Sequence, residues 1–149
     1  MTIQHMRTKW SRGVIPNQVI GNIGLFYVCY KLSLFGWNVM PTARNSKGVD
    51  IIAYSQNGSR RILIQVKSLS RTNSVSLGKR LDNLLGDFVV IWIKNHPNEP
   101  ICFVMQSQTV KKLAHRYGTK RKVSYWLRPS EYHTDEHLGK WLLIGHGVP

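Results

Sequence analysis

The 149-residue sequence is short of acid. Seven Asp and Glu stand against 21 Lys and Arg, a formal charge of +14 with histidine neutral. No acidic residue precedes Asp50. A balance of this kind attracts polyanions, nucleic acid before an anionic membrane surface. Cysteine is scarce as well. Cys29 and Cys102 both sit inside apolar runs, where they read as buried free thiols rather than as part of a disulfide or zinc framework. No run is long and apolar enough to span a bilayer. The basic N-terminus, MTIQHMRTKWSRG, lacks the apolar stretch of a signal peptide, so a cytoplasmic protein with no membrane partner is expected. Internal repeats, low-complexity tracts, nucleophile elbows and glycine-rich phosphate loops are all missing. The 42% hydrophobic content, by contrast, is ordinary for a globular chain and argues against general disorder.

The length suits one compact domain. Residues 1–15 read as a basic arm and 16–149 as a single domain. From Asn17 to Phe35 the chain is apolar almost all round, between Pro16 and Gly36, which predicts a buried helix. Its Gly21 and Gly24 would let another element approach closely. Trp37–Met40 reads as a short strand. Residues 49–55 and 60–67 are two β-branched-rich runs around Gln56-Asn57-Gly58-Ser59, a strong hairpin signal. Further on we expect a short helix over 77–86, strands over 87–94 and 101–105, a helix over Ser107–Tyr117 with Ser107 as N-cap and Gly118 as terminator, a strand over 122–127, and a last helix over 135–144. This order indicates an α/β fold, a central mixed β-sheet flanked by helices.

A two-residue Asn57-Gly58 turn would set Asp50 directly opposite Gln65, on one face of the hairpin, with Lys67 two residues further along the same face. Their neighbours are Ile51, Ile52, Leu63, Ile64 and Val66. A carboxylate and an amine in such surroundings are costly unless paired, hydrated or bound to metal. One reading is metal-assisted phosphodiester hydrolysis. In it Asp50, the Gln65 amide oxygen and the Val66 carbonyl offer hard oxygens to Mg²⁺ or Mn²⁺, and Lys67 orients water or neutralises developing charge. The other is an Asp50–Lys67 ion pair with Gln65 as filler.

The stretch from Gly21 to Ser68, with its helix opening GNIG and its Asp50…Gln65-Val66-Lys67 spacing, resembles the PD-(D/E)xK nuclease superfamily. The likeness is to the branch of Holliday-junction-resolvase-like proteins and methyl-directed restriction endonucleases. It implies a restriction-endonuclease-like core, Mg²⁺-dependent DNA cleavage, and work as a homodimer or as a subunit of a defence or repair complex. The Asp of the motif falls on Asp50, the Glu/Gln on Gln65 and the Lys on Lys67. One departure is that family members commonly carry a glutamate after the glycines of the first helix, where this chain has Leu25. A protein on the same fold that binds DNA or serves assembly with little or no catalysis is therefore the second reading.

Around the motif, Arg44, Asn45, Ser46, Lys47, Ser68, Arg71, Lys79 and Arg80 are candidates for phosphate contacts. A second basic run, Lys111–Lys122, is either a further DNA-facing surface or a solvated helix exterior. His133 and His137 fit a surface helix start better than a metal site, and Trp92, Trp126 and Trp141 read as core.

Overall fold

A computed structural model describes residues 14–43 and 48–149. The expected arm lies outside the described residues except for Val14 and Ile15, and Ile15 packs on the core. The order of elements is α1 (Asn17–Leu34), β1 (Asn38–Pro41), β2 (Ile51–Tyr54), β3 (Arg61–Leu69), β4 (Val75–Gly78), a 3₁₀ turn (Leu81–Asn83), β5 (Phe88–Ile93), β6 (Ile101–Gln106), α2 (Ser107–Leu113), β7 (His115–Thr119), β8 (Lys122–Leu127), α3 (Pro129–Tyr132) and a 3₁₀ turn (Trp141–Leu143). Among the described residues the strands form a five-stranded sheet, β1-β2-β3-β5-β6, and a three-stranded sheet, β4-β8-β7. Only β3 and β5 run parallel, so the larger sheet is mixed, as expected. No helix of the described residues is long and apolar enough to cross a membrane.

Alternation along the strands sorts the side chains into two cores. Ile51, Ala53, Ile62, Ile64, Val90, Trp92, Cys102 and Val104 face α1, with Val28, Leu32 and Trp37. Val89, Ile91, Ile93, Phe103 and Met105 face the other way, toward Val75, Leu77, Leu127, Val110 and Tyr132. Both cysteines are free and buried. Trp92 and Trp141 are core, as expected, and Trp126 is half-buried.

Three expected helices are corrected. Residues 77–86 open in a strand, because Val75 and Leu77 are buried with exposed residues between and after them, a period of two rather than 3.6. The helix expected over Ser107–Tyr117 stops at Leu113, and the chain turns extended at Ala114 to enter β7. Gly118, expected as helix terminator, serves the β7–β8 hairpin instead, at φ +100° where a Cβ would strike the Lys122 carbonyl. Ser107 is the first helical residue, not the cap; its buried hydroxyl has no partner. No α-helix forms over 135–144, which holds only the 3₁₀ turn at Trp141–Leu143. That segment lies along the outer edge of β6, where the Val104 amide donates to the His137 carbonyl (2.9 Å) and the Gly139 amide to the Cys102 carbonyl (2.8 Å). An edge strand has unpaired amides to satisfy, and this backbone satisfies them. His137 is accordingly buried, not on a surface helix.

The helix glycines divide sharply. A Cβ on Gly24 would lie 2.0 Å from Ser68 Oγ and 2.9 Å from Ser68 Cβ, whereas one on Gly21 would meet nothing within 4 Å. Gly24→Ala should therefore destabilise the protein by about 1–3 kcal/mol through overpacking. Gly21→Ala should instead stabilise it by about 0.5–1 kcal/mol through helix propensity. Urea denaturation of the two variants measures both signs.

Candidate active site

The β2–β3 hairpin has the register read from the sequence: Ile51 pairs with Ile64, Ala53 with Ile62 and Tyr54 with Arg61. Its turn is longer than the two residues expected. The ladder closes where the Ser55 amide meets the Arg60 carbonyl (3.0 Å), and Asn57 Oδ1 accepts from the Ser55 and Ser59 hydroxyls and the Ser59 amide. The extra residues lie symmetrically about the turn, so the pairing below is unchanged.

The ladder then ends one step before the predicted Asp50–Gln65 pair. The Asp50 amide donates to the Ile64 carbonyl (2.9 Å), the residue that Ile51 already faces. Two residues against one is a β-bulge. Beyond it β2 no longer covers β3, and the Val66 amide, which points to that side, would lack a partner. The Asp50 carboxylate supplies one: Val66 N–H donates to Oδ2 at 2.7 Å. On the other flank of β3 the Asp87 carboxylate does the same for Leu63, whose amide donates to Asp87 Oδ2 at 2.8 Å. The sequence reading had not assigned Asp87 that role.

Gln65 and Lys67 pair with Val89 and Ile91 of β5, placing them on the sheet face away from α1. Gln65 Oε1 is buried and unpartnered. Burial pulls the Lys67 amine below the usual lysine range, and the Asp50 charge partly restores it. No Asp50–Lys67 salt bridge forms; among the described residues Arg80 pairs with Asp82, and His115 contacts Glu131. The ion-pair reading of the motif is thus not what the geometry gives.

No family model matches the sequence, and no curated protein matches it significantly. Solved structures do. The bacterial homing endonuclease I-Ssp6803I superposes with a TM-score of 0.58 at 16% identity, over 86% of this chain and 92% of that one. Hjc, a Holliday junction resolvase from Archaeoglobus fulgidus, gives a TM-score of 0.45 at 16% identity, over 71% of this chain and 88% of its own. The chain shares the fold of that homing endonuclease.

The oxygens at the end of the β2–β3 ladder suit a hard divalent cation. The Gln65 amide oxygen is desolvated without a donor, Asp50 uses one carboxylate oxygen on Val66, and the Val66 carbonyl faces the gap that β2 leaves. The set is lean in charge. Among the described residues no three His, Cys, Asp or Glu side chains cluster as metal ligands. Leu25 of α1 packs into the opposite core, Asp87 is committed to Leu63, and Asp82 pairs with Arg80 at the surface.

Of the phosphate-contact candidates, Arg44, Asn45, Ser46 and Lys47 lie outside the described residues. Ser68 is corrected: it faces α1 beneath Gly24, across the sheet from Lys67, as strand alternation requires. Arg71, Lys79 and Arg80 are exposed. Gly48, two residues before Asp50, packs against Asn83 and Leu85, so the segment following Lys79 and Arg80 borders the approach to the site. The second basic run supplies most of the β7–β8 hairpin, where Arg116, Lys120, Arg121 and Lys122 are exposed and unpaired with acids. There Arg128 donates twice to the Tyr117 hydroxyl, at 2.9 and 2.7 Å.

Lys67 has a consequence for stability. Its folded-state affinity for a proton is lower than in the unfolded chain, so the charged amine opposes folding at neutral pH. Stability should rise as pH climbs from the lowered value toward the ordinary lysine value, where the unfolded state holds the extra proton. Lys67→Met should therefore be more stable than wild type at pH 7, and the difference should shrink toward about pH 10. Urea denaturation of both proteins across that range measures it.

Proposed function

We propose that this chain is a metal-dependent endodeoxyribonuclease with Asp50, Gln65 and Lys67 at its active site. The observation that carries the reading is the end of the β2–β3 ladder, where a carboxylate, an unpartnered buried amide oxygen and a desolvated lysine come together in an endonuclease fold. Asp50, Gln65 and the Val66 carbonyl would hold Mg²⁺, or Mn²⁺ in its place. When bound, the ion supplies Lewis-acid polarisation of a phosphate oxygen and acidification of water. Asp50 keeps its carboxylate fixed through the Val66 amide, so little reorganisation accompanies the reaction. Lys67 places its amine beside the scissile phosphate, orienting water and offsetting negative charge as a P–O bond breaks. Arg71, Lys79 and Arg80, with Arg44 and Lys47, track the flanking phosphates, and the β7–β8 hairpin adds a second basic contact.

A DNA-binding or assembly protein with weak catalysis is the second reading. The lone carboxylate of the site, Asp50, favours it, because one carboxylate and one amide hold Mg²⁺ weakly and leave substrate phosphate to supply the remaining charge.

Nicking of supercoiled plasmid with Mg²⁺ or Mn²⁺ separates the two. The nuclease reading expects metal-dependent nicking, reduced about 100-fold or more in Asp50→Ala and in Lys67→Ala, with DNA binding retained. Binding without nicking under either metal would leave the second reading standing. In the same binding assay, replacing Lys120, Arg121 and Lys122 by Ala should lower the slope of log affinity against log salt by about two to three, one per lost phosphate contact. An unchanged slope would remove the hairpin from the interface.

A further inference from the structure

Helix α1, expected to be buried all round, leaves Phe26 and Tyr30 62% and 58% exposed on an apolar face. The three-stranded sheet β4-β8-β7 exposes aromatic rings in other surroundings, among cations. Val75, Leu77 and Leu127 turn into the core, and Tyr125 packs against it. Alternation therefore sends Ser76, Ser124 and Trp126 to the outer face. Their partners on β7 lie there with them, Tyr117 opposite Ser124 and His115 opposite Trp126, so Tyr117 and Trp126 are diagonal neighbours. Tyr117 is 44% exposed. Trp126, expected as core, is half-buried and belongs to neither core. Both rings are fixed by their polar edges. Trp126 Nε1 donates to Ser124 Oγ at 3.0 Å, and the Tyr117 hydroxyl accepts the two bonds from Arg128. Glu131 of α3 is already spent, on His115 and on the Arg128 amide, which donates to it at 2.8 Å. Arg116, Lys120, Arg121, Lys122 and Arg128 are left exposed, with no carboxylate paired to their side chains.

We propose that this face binds an unpaired stretch of DNA, its bases stacked on Tyr117 and Trp126 and its phosphates held by the hairpin cations. The assignment rests on the nuclease reading for one thing, that the polyanion is DNA. Charge calls for a polyanion, because the cations flank the rings and cap the tip of the hairpin without acids to answer them. The rings decide which kind. In a duplex each base face is covered by its neighbour and a surface aromatic gains nothing from it, whereas an unpaired base presents a free π-face. Aromatic side chains beside a basic track are the two components of a single-strand groove. The tied edges of Tyr117 and Trp126 hold the rings in place before any ligand arrives, so little side-chain freedom is lost on binding. Position links the platform to the candidate site. Strand β4 ends at Gly78, paired with Tyr125 of β8, and the chain continues directly into Lys79 and Arg80. Asn83 and Leu85, just beyond, pack on Gly48 at the approach to Asp50. A strand lying on the platform is therefore led by basic residues toward the site, and the substrate class is DNA that carries an unpaired segment.

Fluorescence anisotropy in EDTA, where no metal-dependent cleavage occurs, tests the platform. The probes are oligothymidylate, oligouridylate and a mixed-sequence DNA duplex, each about 20 nucleotides long, more than one binding site requires. Tyr117→Ala should weaken oligothymidylate binding about 10-fold or more and leave the duplex within about twofold, since phosphate contacts carry that affinity. Tyr117→Phe, which keeps the ring and loses the Arg128 bonds, should retain most of the single-strand affinity. Oligothymidylate should also quench tryptophan fluorescence, and Trp126→Phe should reduce that quench; circular dichroism confirms that the variants are folded. Three results would each overturn the platform: an unchanged single-strand affinity in Tyr117→Ala, an equal loss on the duplex, or a quench unaltered in Trp126→Phe. Tighter binding of oligouridylate than of oligothymidylate would make the ligand RNA and overturn the assignment to DNA. Asp50 and Lys67 are untouched and no metal is present, so absence of plasmid nicking with stacking intact counts against the nuclease reading alone.

Discussion

Where β2 stops pairing with β3 determines everything polar at this site. Had the ladder run two pairs further, the Val66 amide would have met the Val49 carbonyl and Asp50 would have projected from an ordinary strand. Instead the bulge at Asp50 leaves that amide to the Asp50 carboxylate. The acid is held by backbone rather than by a flexible partner, and its position relative to Gln65 and Lys67 is fixed by peptide geometry. Asp87 braces the opposite flank of the same strand through Leu63. The strand carrying the motif is thus pinned on both sides by carboxylates at the place where regular pairing begins or ends.

That arrangement works against the fold that hosts it. Gln65 and Lys67 occupy positions on β3 whose β5 partners, Val89 and Ile91, are fully buried. An apolar pair there would extend the core without desolvating an amine or leaving an amide oxygen unpartnered. Such expense in a central strand is characteristic of sites kept for chemistry rather than stability. The surrounding sheet, apolar on both faces, supplies the stability that the site withholds.

Much of this was legible in the sequence, for identifiable reasons. The hairpin register followed from β-branched runs set about Asn57-Gly58, and a turn longer by one residue on each side preserves it. Helix α1 was visible from Pro16, Gly36 and its length, but composition cannot tell a helix buried on all sides from one with an apolar face left open. The bulge was invisible because it depends on where a backbone diverges, not on side-chain type. The β7–β8 hairpin was misread because Lys, Leu and Ala between Ser107 and Gly118 favour a helix locally, while the pairing of His115 with Trp126 and of Tyr117 with Ser124 is a tertiary contact. The last segment was misread likewise: its job of covering the β6 edge leaves no periodicity in the residues themselves.

The covering of β6 reaches beyond that strand. A sheet grows by adding strands at its edges, and here one edge is occupied by residues 137–139 while the other, β1, is four residues long and ends in Pro41, which has no amide to donate. With both margins of the five-stranded sheet blunted in this way, that sheet offers no long regular edge along which another strand could extend it.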